Sequence, residues 1–348
     1  MTIMSFPDLT ANPSRSNFDT SIPRDREQAL SPTTMDTFPA TGAVTTAMRD
    51  LLAAVSAAVV LAGCAGTPGA PLKTENLFFD GAAGGAETVA DYDALVLKSD
   101  GAEIYGQILI PDRSFGAGRP CVLMFHGFAG FGRFDDVGQA LCRAGCVVLI
   151  PHHRGAWGSQ GKYTVSNCVQ DAVNLVRHVQ SPGFRKKYHI DPNAVFLVGH
   201  SMGGNTVLNA AVRAPGVRGI VMLAPCDIGT MYRQMPKDKM KYFMIDNGLG
   251  ALRTDGFEAV YADLARYAAE YAFPQAAVKL KNIHLLLIIG EWDTCISNDL
   301  LKAFFVAARG NRTLLSCSRR SYRSRHGLMG VRTQVSRDIA EFILESTR

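Results

Sequence analysis

Residues 194–204 read AVFLVGHSMGG, a run of strand-forming residues that ends directly in a glycine, a histidine, a serine, a methionine and two more glycines. Valine and phenylalanine favour a buried strand. Gly199 and Gly203 lie two residues before and after Ser201, where the missing side chains let the backbone turn sharply without a clash. The stretch therefore predicts a strand, a tight turn and a helix, with the Ser201 hydroxyl presented at the end of the strand.

The chain from residue 93 alternates short apolar runs with helical stretches. The segments DALVLKS and AEIYGQILIP flank a Ser-Asp-Gly turn and predict a hairpin. The runs CVLMF, CVVLIP, GIVMLAP and HLLLIIG are apolar without alternation, as in strands of a parallel sheet that is covered on both faces. Helical patterns separate these runs, so we predict an α/β fold with a mostly parallel central sheet and helices on both faces.

One segment interrupts the alternation of strands and helices. Residues 228–282 separate two predicted strands and are too long and too apolar for a simple connection. We interpret them as a small, mainly helical cap inserted into the α/β domain, which we place at residues 76–348. The methionine and aromatic residues of the cap could form its core or contact a substrate.

The N-terminal region differs in composition from this domain. Residues 1–47 are rich in Ser, Thr, Pro and Asp, and we interpret them as a disordered or untranslated extension. Residues 48–75 form a signal-like apolar segment and a linker. Met48 precedes the apolar run LLAAVSAAVV and the motif LAGC, which resembles a bacterial lipoprotein signal with Cys64 as the lipidated residue.

The cysteines bear on the compartment of the protein. Seven remain besides Cys64, an odd number, and Cys121 and Cys146 fall in predicted buried strands, unlike a disulfide framework. They are typical of reduced core thiols in a cytoplasmic protein with an ordinary apolar tail. A cytoplasmic location and a lipid anchor at Cys64, which would be the one contact with a membrane, both stay open.

A serine hydroxyl needs a general base, and the base needs an acid that orients it. In α/β folds with this turn, the partners follow in the order serine, acid, histidine. Asp293 comes just after the apolar run HLLLIIG, and His326 is the single histidine beyond it. We predict that Ser201, Asp293 and His326 form a catalytic triad, with Glu291 and Asp227 as alternative acids.

Attack on a carbonyl also requires an oxyanion hole, usually made of backbone N–H groups. We predict the N–H of Met202, which follows the nucleophile, as one donor. The turn at His126, Gly127 and Phe128 supplies the other, which we assign to the N–H of Phe128. We interpret His126 itself as structural.

These motifs resemble the α/β-hydrolase superfamily, and most closely its prolyl-oligopeptidase-like and dienelactone-hydrolase-like serine hydrolases. The pieces MFHGF, HHRGAWGSQG, IDPNAVFLVGHSMGG, IIGEWD and RHGL match in family order from about residue 90 to the end. The resemblance implies a serine hydrolase that cleaves esters or peptide bonds through an acyl-enzyme, without a metal or another cofactor. His152 and His153 stand where relatives commonly have aspartate or tyrosine, and we interpret both as structural or rim residues.

We therefore predict a serine hydrolase for a carboxylic ester of a small acyl group. The alternatives are an exopeptidase or amidase acting on a short peptide, and a non-catalytic binding protein on the same fold. The net charge of +5 is mild for 348 residues, which argues against a nucleic-acid partner. The basic residues cluster only at Arg319, Arg320, Arg323 and Arg325, either as a solvated face or as a source of positive potential near His326.

Overall fold

The computed structural model describes residues 72–80 and 89–348. The predictions for residues 1–71, including lipidation of Cys64, concern residues outside this part of the chain. Within the described ranges, no helix is long and apolar enough to cross a bilayer. The described cysteines are all unpaired, and most of them are buried.

The core is a single sheet of eight strands in the order β1-β2-β4-β3-β5-β6-β7-β8. The β1–β2 hairpin and the β2–β4 pair are antiparallel, and every other neighbouring pair is parallel. The mostly parallel sheet is therefore confirmed. The strands are β1 Asp91–Ser99, β2 Ala102–Ile110, β3 Arg119–Phe125, β4 Val147–Pro151, β5 Ile190–His200, β6 Gly219–Leu223, β7 His284–Gly290 and β8 Ser316–Tyr322.

Helices connect these strands and cover both faces of the sheet. Within the described residues they are α1 Asp135–Arg143, α2 Val165–Val179, α3 Pro182–Tyr188, α4 Met202–Arg213, α5 Ile228–Gln234, α6 Lys237–Asp246, α7 Phe257–Tyr271, α8 Phe273–Ala277, α9 Asn298–Gly310 and α10 Arg332–Thr347. Short 3₁₀ turns lie at Thr74–Phe78, Arg113–Phe115 and Leu249–Ala251.

The two faces of strand β5 show how the core is divided. Val195 and Leu197 belong to one buried cluster, formed with α2, α4, α7 and α9. Phe196 and Val198 belong to a second cluster, formed with α1 and α10. Successive strand residues point to opposite faces, so a strand that is buried on both sides needs an unbroken apolar sequence.

Strand β8 was not predicted from the sequence. It reads SCSRRSY, and none of its residues is fully buried. It pairs with β7 alone, at the edge of the sheet. An edge strand that is rich in serine and arginine has no apolar pattern to reveal it, although charged side chains are common on exposed edges because they discourage pairing with other chains.

The segment between β6 and β7 consists of helices α5 to α8 and a 3₁₀ turn. Two backbone hydrogen bonds tie it to the loop after β4: Arg253 N–H donates to the Gly155 carbonyl, and Tyr163 N–H donates to the Arg253 carbonyl, each at 2.8 Å. Ser166 at the start of α2 donates its hydroxyl to Asp263 on α7. These bonds fix the inserted helices against the end of the sheet where the strand β5 turn lies.

A buried ion pair holds the loop after β4. Arg154 and Asp171 are 9% and 5% exposed, and their closest N–O distance is 2.5 Å. Ser99, at the end of β1, donates its hydroxyl to Asp171 at 2.6 Å, and its carbonyl accepts from Arg154 at 3.0 Å. One carboxylate on α2 therefore joins the hairpin, the loop and the helix.

We expect Asp171→Ala to destabilise the protein by about 3–5 kcal/mol, because it leaves the Arg154 guanidinium buried without its counter-charge. Urea unfolding followed by circular dichroism measures the change. Asp255→Ala is the matched control, since Asp255 and its partner Lys162 are more than half exposed and such pairs contribute little. Equal losses in the two variants would contradict a structural role for the buried pair.

Candidate active site

The turn after β5 has a strained backbone at Ser201. Its φ of 52° and ψ of −116° are rarely adopted by residues other than glycine. A Cβ on Gly199 would lie 2.1 Å from the Gly203 carbonyl oxygen, and a Cβ on Gly203 would lie 2.1 Å from the Phe125 carbonyl oxygen. Both positions require glycine, as expected for the sharp strand-to-helix turn that presents a nucleophile.

Hydrogen bonds fix this turn on both sides of Ser201. Its N–H donates to the Leu223 carbonyl at 2.9 Å. Its own carbonyl accepts from the N–H groups of Gly204, at 2.9 Å, and of Cys226, at 2.8 Å. The neighbouring strand β6 thus holds the peptide groups around Ser201, and the strain at this residue is compensated by the surrounding structure.

A histidine and an aspartate from two later loops meet beside this turn. His326 Nδ1 lies 2.8 Å from Asp293 Oδ2, and the two side chains are 23% and 1% exposed. Asp293 Oδ1 accepts the backbone N–H groups of Cys295, at 2.8 Å, and of Ile296, at 3.1 Å. The carboxylate is therefore anchored by one oxygen and bound to the imidazole by the other.

These contacts shift the titration of Asp293. Burial alone would raise the pKa of this carboxyl group, but the hydrogen bond and charge of His326 and the two backbone N–H groups outweigh it. The net pKa lies below the usual aspartate value, so Asp293 is ionised over the neutral range. An ionised acceptor keeps the proton of neutral His326 on Nδ1 and leaves Nε2 free to accept one.

The two alternative acids lie elsewhere. Asp227 begins α5, and its side chain accepts the N–H of Thr230 at 3.0 Å and the hydroxyl of Thr230 at 2.7 Å. It acts as a helix cap. Glu291 is exposed. The structure brings His326 together with Asp293, while the catalytic roles of Ser201, Asp293 and His326 stay predictions.

Ser201 and His326 border one small cavity of about 70 Å³. Within the described residues, no hydrogen bond joins the serine hydroxyl to the histidine ring. Such bonds are often long without substrate and shorten in the Michaelis complex. The cavity lies between the core and the inserted helices, and its lining includes Phe128, Ser201 and His326 from the core, Phe243 and Asn247 from the insertion, and Cys295.

The predicted oxyanion donors belong to two segments, Phe128 to the loop after β3 and Met202 to the start of α4. Neither the N–H of Phe128 nor that of Met202 donates to a protein acceptor in the described part of the chain. The Gly127 carbonyl accepts a hydrogen bond from His126 Nδ1 at 2.8 Å. Because C=O and N–H point in opposite directions across a trans peptide, this bond turns the Phe128 N–H away from His126.

The tautomer of His126 follows from its partners. His126 Nε2 accepts the N–H of His153 at 3.1 Å, so its proton is on Nδ1. Burial, followed by the neighbouring His153, lowers the pKa of His126 well below its ordinary value, and the ring stays neutral. His153 Nε2 lies 3.0 Å from the His126 carbonyl oxygen. The two buried rings therefore position the loop that carries the Phe128 N–H.

His152 and the arginine cluster do not enter the cavity lining. His152 has protein partners on both ring nitrogens, Arg133 at 2.8 Å and the Trp157 carbonyl at 3.1 Å. Arg319 lies over the ring of Phe305, and Arg320 is 3.6 Å from Asp338. Arg323 and Arg325 are exposed. These contacts are typical of a solvated face.

The sequence analysis missed the role of His200, the residue before the nucleophile. Its Nε2 lies 2.9 Å from the His326 carbonyl oxygen, and the two rings are 4.8 Å apart. Burial, followed by the neighbouring His326, lowers the pKa of His200 to about 3, so the ring is neutral. Because a carbonyl oxygen can only accept, the ring proton is on Nε2, which donates a hydrogen bond to the His326 carbonyl. In the sequence, His200 is marked only by its position next to Ser201, and that position does not predict the contact with His326.

Comparison with known families covers the part of the chain that contains Ser201. A family model described as serine aminopeptidase, S33, matches residues 116–244, less than half of the chain. The monoglyceride lipase of Rattus norvegicus is 35% identical over 114 residues, which are 32% of this chain and 33% of the lipase. The match thus spans about a third of the length of that relative. The family match contains Ser201 and ends before Asp293.

Solved structures match over much more of the chain. The structure of DcsB in complex with its substrate analogue has a TM-score of 0.57 and 18% identity, and the match covers 74% of this chain and 99% of that one. Est1E from Butyrivibrio proteoclasticus has a TM-score of 0.55 and 17% identity, and the match covers 73% of this chain and 98% of Est1E. The esterase Pf2001 of Pyrococcus furiosus has a TM-score of 0.52 and 16% identity, and the match covers 76% of this chain and 97% of Pf2001. Together they confirm the α/β-hydrolase fold.

Proposed function

We propose that this chain, a member of the α/β-hydrolase superfamily, is a serine hydrolase that cleaves carboxylic esters of small acyl groups through an acyl-enzyme. The observation that carries the proposal is the hydrogen-bonded Asp293–His326 pair, which shares a cavity with the strained serine turn. A binding protein would have no need for a nucleophile and a base in one cavity, with an acid hydrogen-bonded to the base.

The reaction follows from these positions. Ser201 attacks the ester carbonyl while His326 Nε2 takes the serine proton, and Asp293 stabilises the resulting imidazolium. The N–H groups of Phe128 and Met202 bind the developing oxyanion. His326 then gives the proton to the leaving alcohol, and water activated by the same nitrogen hydrolyses the acyl-enzyme.

An ester is favoured over a peptide by the lining of the cavity. Exopeptidases that bind a free amine need an acidic or otherwise strongly accepting group near it. The residues lining the cavity include no aspartate or glutamate, and Asp293 has both oxygens engaged. The aminopeptidase description of the matching family keeps an amide substrate as the second candidate.

The size of the acyl group follows from the volume of the cavity. About 70 Å³ is far below the roughly 300–1,000 Å³ of common ligand pockets, which favours short acyl chains. A separate hollow of about 220 Å³ includes Ala129, Phe131, Trp157 and Ala251 in its lining, and it shares none of these residues with the lining of the smaller cavity.

We expect the full-length protein to release p-nitrophenol in a burst from p-nitrophenyl esters, because acylation by a good leaving group outpaces hydrolysis of the acyl-enzyme. The burst should correspond to one equivalent of enzyme. Activity should be highest for acetate to butyrate and fall by about tenfold or more toward octanoate, since roughly 1.4 kcal/mol of poorer transition-state binding suffices for that change. Stopped-flow absorbance measures both quantities.

Labelling by a fluorophosphonate probe separates the remaining functions. A labelled protein without ester turnover would contradict the esterase proposal and favour an amide substrate, which amino-acid p-nitroanilides would then detect. A protein that is neither labelled nor active on any ester would favour a binding protein on this fold.

A further inference from the structure

A third chemical group stands beside the histidine and aspartate of the active site. Cys295, Asp293 and His326 each offer one ligand atom, and these atoms all lie within 4.8 Å of one another. Cys295 is exposed and has no disulfide partner. Cys295 belongs to the lining of the cavity that Ser201 and His326 border, and its side chain is open to an ion from solvent.

The arrangement is built by the loop after β7. The backbone N–H of Cys295 binds Asp293 Oδ1 at 2.8 Å, which places the cysteine directly against the carboxylate. Asp293 Oδ2 faces His326 Nδ1 at 2.8 Å. A carboxylate oxygen, an imidazole nitrogen and a thiol sulfur therefore lie within 4.8 Å of one another, and two of the three residues line the cavity.

This donor set suits zinc. Zinc in sites with an open position takes three protein ligands drawn from cysteine, histidine and carboxylate, and a solvent molecule as the fourth. Ligand atoms around a tetrahedral zinc ion lie about 3.3–3.8 Å apart, given bond lengths of about 2.0–2.3 Å. The Asp293 oxygen and the His326 nitrogen, now 2.8 Å apart, must separate by roughly 0.5 Å to bind one zinc ion. The Cys295 sulfur, within 4.8 Å of both, must approach by up to roughly 1 Å, which rotation of its exposed side chain between staggered conformers can provide.

We propose that Cys295, His326 and Asp293 form a zinc-binding site through which zinc inhibits the enzyme. The inhibition rests on the hydrolase function proposed above, whereas the binding of zinc does not. The site uses two groups of the proposed triad, so the metal and the catalytic arrangement exclude each other.

The position of one proton explains the inhibition. In the metal-free site the proton of His326 is on Nδ1, and Nε2 can accept the Ser201 proton. When zinc binds Nδ1, that proton moves through solvent to Nε2, and the Cys295 thiol releases its own proton to solvent as the sulfur binds the metal. No electron is transferred. His326 then carries hydrogen on the nitrogen that must act as base, and zinc on Nε2 would block the same lone pair directly.

Zinc chloride titrated into the full-length protein in a non-chelating buffer tests the proposal. We expect one zinc ion to bind per chain by calorimetry, and ester hydrolysis to fall in parallel and recover with EDTA. Cobalt(II) should give a thiolate-to-metal absorption band in the near ultraviolet, which reports Cys295 as a ligand independently of activity.

Two cysteine variants make the test specific. In Cys295→Ser we expect the zinc concentration for half-inhibition to rise at least tenfold and the cobalt band to disappear, with each rate compared with the metal-free rate of the same variant. Cys317→Ser is the matched control, because Cys317 is partly exposed on β8 outside the site, and it should behave as the wild type.

The outcomes distinguish this proposal from the enzymatic one. Equal zinc inhibition in Cys295→Ser, or no zinc binding to the wild type, overturns the zinc site. If the wild type hydrolyses no ester, the esterase proposal fails, yet calorimetry and the cobalt band still decide whether Cys295 binds the metal. Ser201→Ala should retain zinc binding, because the serine is not a ligand.

Discussion

Ser201→Ala reduces kcat for p-nitrophenyl acetate by roughly 10⁴–10⁶-fold, because it removes the nucleophile on which both halves of the reaction depend. The remaining rate comes from the oxyanion donors and substrate binding alone. Alanine keeps the Cβ of serine, and the hydroxyl makes no hydrogen bond with the described protein, so no buried partner is left unsatisfied. We therefore expect the thermal unfolding midpoint of the variant to match that of the wild type.

Steady-state rates, the pre-steady-state burst and fluorophosphonate labelling measure this loss in three ways, and all three should disappear together. Ser321→Ala is the matched control, since Ser321 is an exposed serine on the edge strand β8 and should leave the rates unchanged. Retained hydrolysis in Ser201→Ala, with purity verified, would contradict the assignment of the nucleophile.

The strand β5 turn shows how far a sequence can predict a site. The position of Ser201 follows from local rules alone, because a buried strand, two glycines and a helix can be joined in few ways. The clash distances at Gly199 and Gly203 give the physical reason for both glycines. The order of residues in the chain predicts Asp293 and His326 as a pair, and the two lie together because loops at the ends of neighbouring parallel strands meet at one edge of the sheet. Their catalytic roles stay predictions.

Other features depend on contacts that no local pattern encodes. The donor role of His200 requires the loop with His326 to lie against it. The sequence shows Cys295 only as a loop residue, and its position beside the carboxylate depends on the hydrogen bond from its N–H to Asp293 Oδ1. Residues Phe243 and Asn247 reach the cavity through the packing of the inserted helices, which the sequence predicted as a segment but not in orientation. Lipidation of Cys64 stays a prediction from sequence.

Replacing Asp293 with asparagine should lower kcat by about 10⁴-fold while leaving the fold intact. Asparagine keeps an oxygen at the Oδ1 position for the backbone N–H groups of Cys295 and Ile296, so the loop retains its anchor. At the other position an amide NH₂ replaces the carboxylate oxygen. It donates to His326 Nδ1, which forces the histidine proton onto Nε2 and removes the base.

Asp227→Asn is the matched control, because Asp227 is the other aspartate that follows a central strand and it caps helix α5 through Thr230. We expect kcat to fall less than tenfold in this variant, since asparagine also serves as a helix cap. A larger loss in Asp227→Asn than in Asp293→Asn would contradict the assignment of the acid. If Asp293→Asn loses far more activity than Asp227→Asn, the proton on His326 Nδ1 is required for catalysis. This is the same proton that zinc at Cys295 would displace.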